Sequence, residues 1–214
     1  MPANGRALQP PLRAQAMPLG FEVRSALPTG SVNPILRRLC EVNITVPRIV
    51  VIGNAAGGKS TLARHLAQRK ALPLIELDKL LWQEGWRLAP ADTYARKHAE
   101  IISRDGWVIE GLGSQASIPE RVARATQIVL IDMPLWMHFA LAAERQVKWK
   151  EQEAPPAGST EMPPTRELFK TMWEVDQSWL PAIRDLCGDA ELAGKSVTRL
   201  FSLKDIEVFM TSVR

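Results

Sequence analysis

The 214-residue sequence is poor in cysteine, histidine and tyrosine and contains no long hydrophobic run. Two cysteines, Cys40 and Cys187, cannot build a disulfide framework or a four-ligand zinc site. The three histidines, His65, His98 and His138, stand too far apart in sequence for metal-ligand spacing. Sparse cysteine fits a reducing compartment, so a cytoplasmic protein is expected. The longest apolar stretch, "IVLIDMPLWMHFALAA", carries Asp132 and is too short to span a bilayer, which excludes a membrane-spanning helix. What remains, 46% hydrophobic and 23% charged residues, is a globular composition that excludes wholesale disorder.

The formal charge of +4 invites a nucleic-acid partner, but its location argues otherwise. Residues 1–47 hold Arg6, Arg13, Arg24, Arg37 and Arg38 against Glu22 and Glu41, a surplus of 5 − 2 = +3. The rest of the chain has 27 − 5 = 22 basic and 23 − 2 = 21 acidic side chains, so it is nearly neutral. A nucleic-acid-binding domain would present a basic face. Seven of the 16 prolines also precede position 48, and no helical or strand period survives there. Residues 1–47 are therefore expected to be a disordered extension, with prolines that oppose the amphipathic helix of a transit peptide.

From Arg48 the pattern changes. "RIVVIG" reads as a β-branched strand ending on glycine, and Leu62, Ala63, Leu66 and Ala67 then recur at helix spacing. Further apolar runs at 72–77, 107–111, 127–134 and 196–201 alternate with helix-like segments at 91–104, 116–124, 135–150, 165–187 and 204–212. Alternating strands and helices predict an α/β fold, a parallel sheet with helices on both faces.

Between the first strand and its helix lies "GNAAGGKST", which satisfies G-x-x-x-x-G-K-[ST] in the context that motif requires. A polyphosphate must approach backbone N–H groups closely, and glycines remove the side chains that would block it. The turn Gly53, Asn54, Ala55, Ala56, Gly57, Gly58, Lys59, Ser60 and Thr61 is thus the expected nucleotide site. Lys59 follows the β and γ phosphates, and Ser60 is placed to ligate Mg²⁺. "LKD" at 203–205 lacks the Asn of a guanine-reading segment, which favours ATP.

Acidic residues stand at three other strand ends, where parallel sheets bind ligands. Asp78 is a candidate to orient an acceptor hydroxyl or act as general base, with helix capping as the alternative. Glu110 is a candidate for the metal shell, and Asp132 reads as structural. Cations should converge on a moving phosphoryl group. Arg145, Lys148 and Lys150 precede, and Arg166 follows, the loop-like segment "EQEAPPAGSTEMPP", the expected lid over about 151–164. Surface solvation of those helix ends is the alternative. Arg121 is a further candidate, with Arg124 spaced to share its face. Trp82 lies one helical turn from Asp78 and, unless it is simply core, walls an acceptor pocket.

The order phosphate turn, "IELDKLLWQEGW", "GWVIEG", "VLIDMP", "ERQVKW" resembles the adenylate-kinase-like P-loop kinases, and within them the bacterial topology modulation (FlaR-related) proteins. The resemblance covers roughly residues 48–210. It implies a P-loop NTPase fold with a five-stranded parallel sheet, ATP with Mg²⁺, and a short lid. By motif, Glu110 takes the place of the Asp in the family's D-G segment, and Arg145 matches a basic position entering the lid. The sequence departs from the nucleotide monophosphate kinases after Gly111, where "LGSQAS" lacks a Pro-Arg pair, so an acceptor other than AMP is implied.

The expected protein is thus an Mg-ATP-dependent phosphotransferase with a P-loop kinase-like domain over 48–214, monomeric or homodimeric, acting on a small-molecule acceptor. Its expected catalytic residues are Lys59, Asp78, Arg145 and Arg166, with Ser60 and Glu110 on the metal. The alternative is a regulatory ATP-binding protein or ATPase without such an acceptor, linked to DNA topology. Nucleic-acid and membrane partners are not expected.

Overall fold

Five short segments form one parallel sheet, whose three inner strands are buried on both faces. The first strand, β1 (Arg48–Gly53), is buried from Ile49 onward. Its alternate residues serve two cores. Val50 and Ile52 face a cluster with Trp107, Ile109, Ile128 and Leu130, whereas Ile49 and Val51 face one with Val108, Val129 and Ile131. Strands buried on both sides need helices on both sides, and the chain supplies them.

The computed structural model describes residues 46–83, 87–151 and 164–213. The expected disordered extension, except for Val46 and Pro47, nearly all of the expected lid, and Trp86 lie outside the described residues. After β1 come α1 (Lys59–Lys70), β2 (Leu74–Glu76), the short α2 (Asp78–Leu81), β3 (Trp82–Gln83) and β4 (Arg87–Leu88). They are followed by α3 (Ala91–Ser103), β5 (Trp107–Glu110), a 3-10 turn (Gln115–Ser117), α4 (Ile118–Arg124) and β6 (Gln127–Ile131). The chain continues through α5 (Leu135–Glu151), α6 (Thr165–Glu174), a π turn (Val175–Trp179), α7 (Leu180–Leu192), β7 (Ser196–Leu200) and α8 (Leu203–Ser212).

The sheet order is β2-β5-β1-β6-β7, and every pairing is parallel. This is the expected α/β, P-loop NTPase fold, with the glycine-rich turn after the central strand. Helices α1 and α8, with Met137 and Leu141 of α5, cover one face. Helices α3, α4 and α7 cover the other. Among the described residues no helix is long and apolar enough to cross a membrane.

Two features depart from the expected elements. The segment 165–187 is two helices joined by a π turn, with Pro181 in the first turn of α7. The backbone stays helical through the π turn, where the Leu180 N–H bonds to the Val175 carbonyl, and Pro181, which has no N–H to donate, follows directly. The segment after Asp78 is a single helical turn that passes into the antiparallel pair β3–β4, with Trp82 opposite Leu88.

Candidate active site

At Gly53 the chain leaves the middle of the sheet and must double back over the strand ends before α1 starts at Lys59. Sterics decide what can stand there. Gly53 has φ +149°, and a Cβ on it would sit 2.4 Å from the Ile131 carbonyl oxygen of the neighbouring strand. A Cβ on Gly57 would sit 2.6 Å from Cε1 of His138. Ala56 at φ +60° and Gly58 at φ +81° take the left-handed conformation, which costs an L-residue such as Ala56 about 1–2 kcal/mol. Left-handed residues in a tight turn gather successive N–H groups into an anion-binding concavity. Helix α1, with no acidic residue in its first turn, adds the positive end of its dipole.

Three candidate side chains converge beside this turn. The Lys59 Nζ donates to the Asn54 carbonyl at 2.6 Å, so its ammonium spans the turn. Burial lowers its pKa from the ordinary lysine value, while the negative charges of Glu110 and Asp78 oppose that and the positive charge of Arg145 adds to it. The Ser60 Oγ donates to Oε1 of Glu110 at 3.1 Å. Glu110 ends β5, beside β1 on one side and β2 on the other, and is 4% exposed. Burial raises its pKa, and the Lys59 ammonium works against the rise.

Asp78 is exposed at the first position of α2. The residue capping that helix is Leu77, and no side-chain cap hydrogen bond is made there, so capping does not account for the Asp78 carboxylate. Gly111 faces it: at φ +105°, a Cβ on Gly111 would lie 3.4 Å from Asp78 Oδ1.

The remaining candidates divide. Arg145, exposed on α5, is near enough for its charge to act on Lys59. Arg166 is exposed in the first turn of α6 and is not among the charges that shift Lys59. Lys148 pairs with Glu144 one turn away at 2.5 Å, as a solvated helix surface does. Asp132 is held by Arg184, which donates from Nε to both carboxylate oxygens at 3.0 Å and from Nη2 to Oδ1 at 2.7 Å. Its role is structural, tying the end of β6 to α7. Because Arg184 is itself 44% exposed, Asp132→Ala is expected to lower the unfolding free energy by only about 1 kcal/mol. Thermal denaturation would measure that loss, and nucleotide affinity should be unchanged.

Trp82 closes the α2 turn, its N–H donating to the Asp78 carbonyl, and is half-buried. Arg121 is fully buried, whereas Arg124 is exposed and reaches the Ile102 carbonyl at 3.1 Å. The Arg121 guanidinium donates to the carbonyls of Gly111 at 3.0 Å and Leu112 at 2.5 Å, and to Ser117 Oγ at 3.1 Å. Burial pulls its pKa down to about 10. Tyr94 completes this cluster: its hydroxyl lies 3.0 Å from Ser117 Oγ and accepts from the Ser114 N–H at 3.2 Å. The loop after Glu110 is therefore fixed from beneath by a buried cation and a phenol.

Two contacts that anchor this turn were not foreseen from sequence, one made by Asn54, expected only as a member of the turn, and one by His138. Asn54 donates from Nδ2 to the Met172 carbonyl of α6 at 2.8 Å, and its Oδ1 accepts from the Ala55 N–H at 2.8 Å. His138 on α5 is fully buried, with Nδ1 2.8 Å from the Ala55 carbonyl. For Asn54 the motif marks a variable position, and for His138 nothing in the local pattern separates it from core residues. Only the fold brings these partners together.

No family model matches the chain, and no curated protein matches it. Among solved structures, the chain is similar to shikimate kinase from Acinetobacter baumannii in complex with shikimate, at 14% identity and TM-score 0.49, over 79% of this chain and 91% of that one. A gluconokinase from Sinorhizobium meliloti 1021 is 15% identical with TM-score 0.45, over 78% and 93%. Shikimate kinase from Bacteroides thetaiotaomicron is 15% identical with TM-score 0.41, over 77% and 94%. These neighbours are kinases, and at such identities the likeness is one of fold.

The donors present suit one kind of metal. Ser60 and Glu110 offer a hydroxyl and a carboxylate side by side, and Mg²⁺ is commonly held by one or two protein oxygens with substrate phosphates and water completing its shell. Among the described residues no three His, Cys, Asp or Glu side chains gather into a metal site of their own. A metal here would take the rest of its shell from phosphates and water.

Proposed function

We propose that this chain is an Mg-ATP-dependent phosphotransferase that phosphorylates a hydroxyl of a small molecule. The observation that carries this reading is the convergence beside one glycine-rich turn of a partly buried ammonium, a hydroxyl–carboxylate pair and the charge of an exposed aspartate. A site that only bound phosphates would need the first two. The aspartate adds what transfer requires, a base at the acceptor side.

In this assignment the amides from Gly53 to Thr61 and the Lys59 ammonium hold the phosphates of ATP, and Ser60 with Glu110 holds Mg²⁺, whose charge offsets that of the phosphate oxygens. Asp78 accepts the proton of the acceptor hydroxyl as its oxygen bonds to the γ phosphorus and the bond from that phosphorus to the β–γ bridging oxygen breaks, releasing ADP. Arg145 supplies positive charge on the same side of the turn, and Arg166 is placed with it on the strength of the sequence alone. The fixed loop Gly111–Ser114 forms the acceptor's floor beside Asp78.

Calorimetric titration with Mg-ATP tests the donor site: a purified protein that took up no purine triphosphate would end the proposal. A screen of sugars, nucleosides, nucleotides and hydroxy acids, read by phosphorus NMR, tests the acceptor half. The expected result is a new phosphomonoester that forms only with one acceptor class. ATP binding without acceptor-dependent transfer across the screen would favour the regulatory reading instead.

A further inference from the structure

His138 is an expensive residue where it stands. It is fully buried, its Nε2 has no hydrogen-bond partner among the described residues, and the ring packs directly beneath Gly57. A buried polar nitrogen left unpaired costs about 1–3 kcal/mol, and a phenylalanine or leucine would fill much of the same space without it. The other nitrogen offsets the cost. Nδ1 lies 2.8 Å from the Ala55 carbonyl, and because a carbonyl only accepts, Nδ1 carries the proton. The ring is then neutral with a bare Nε2, in keeping with burial, which lowers its pKa despite the opposing Ala55 hydrogen bond.

That hydrogen bond acts on the peptide joining Ala55 to Ala56. Among the described residues no peptide bond is cis, so the C=O and N–H of this unit point in opposite directions. Drawing the Ala55 oxygen toward α5 turns the Ala56 N–H away from α5. Ala56 is also the turn's non-glycine residue in the left-handed conformation, which an unrestrained chain would tend to leave.

We propose that His138 is a positioning residue for the donor phosphates: its Nδ1–H holds the 55–56 peptide so that the Ala56 N–H is presented to the anion. This rests on the phosphate-binding role assigned to the turn and adds a residue outside the motif. His138 touches no reacting atom and acts through the backbone it orients.

The test compares wild-type protein with H138N, whose amide can place a donor near the Nδ1 position, and with H138F and H138L, which fill the space without one. Each is titrated calorimetrically with Mg-ATP and with inorganic tripolyphosphate, and folding is checked by thermal denaturation. Loss of one hydrogen bond to an ordered anion site is expected to weaken both ligands about tenfold in H138F and H138L. H138N should stay within about threefold of wild type, a rescue that mere filling of space would not produce. Two loss-of-donor side chains of different shape keep the comparison available if one of them does not fold. Affinities of folded H138F or H138L equal to wild type would overturn the role of His138, as would equal weakening in H138N and a folded apolar variant. A wild-type protein that bound neither ligand would instead overturn the phosphate site on which the role depends.

Discussion

Lys59→Ala is expected to reduce phosphoryl transfer by about a hundred- to a thousandfold while leaving the fold intact, the magnitude found when one preorganised charge-stabilising donor is removed from a transfer site. The ammonium is desolvated and held across the turn by the Asn54 carbonyl. Its electrostatic effect on developing charge is therefore larger than that of a lysine in water. Folding and chemistry are read separately. Burial disfavours the charged lysine, but removing it leaves buried Glu110 without the positive charge beside it, so the thermal midpoint is expected to fall while the protein stays folded at assay temperature. Glu110, whose pKa burial already raises, also loses the positive charge that opposes the rise, so support for the metal should weaken alongside phosphate binding. Calorimetry with Mg-ATP and initial-rate measurements on the same preparation read both effects. A Lys59→Ala protein with undiminished affinity and turnover would remove the turn from the chemistry.

The architecture was legible because its signal is local. Runs such as Ile49–Ile52 and Ile128–Ile131 are β-branched or aliphatic throughout, and the observed strands coincide with them apart from their ends. The strand-end reading also anticipated where Glu110 and Asp78 stand, at the end of β5 and just beyond β2, since a parallel sheet places its carboxyl ends at one edge. The two-residue strands β3 and β4 escaped notice because two residues are too few to show a period. The π turn escaped because Val175–Trp179 carries helical residues on either side and backbone hydrogen bonding alone distinguishes it.

The limits in the site have a different origin. Spacing identifies residues whose partners are neighbours in sequence, as in Gly53 to Thr61. His138 reaches a carbonyl 83 positions earlier, and Asn54 one 118 positions later. Neither partner is a side chain whose type could have marked the pair. Arg121 was noticed for its charge, yet its partners include two backbone carbonyls, and its position beneath the loop follows from the packing of α4 against the sheet. Sequence thus discloses a contiguous motif more readily than the distant side chains that hold its backbone.

Asp78→Asn is expected to lower acceptor phosphorylation by about a hundred- to ten-thousandfold, the range for loss of a general base, with Mg-ATP affinity retained. The substitution keeps the size and shape of the side chain and removes its ability to take a proton. Because Asp78 is exposed and Leu77 is the capping residue of α2, the change should leave the thermal midpoint essentially unaltered. The charge removed is also one of those favouring protonated Lys59, so the lysine pKa should move further down. Measuring transfer across pH distinguishes the two effects. A defect uniform in pH marks the lost base, whereas one that grows as pH rises marks a deprotonating Lys59. Transfer at the wild-type rate in a folded Asp78→Asn protein would show that the acceptor hydroxyl loses its proton elsewhere, and the assignment of the acceptor side to α2 and the Gly111 loop would fall with it.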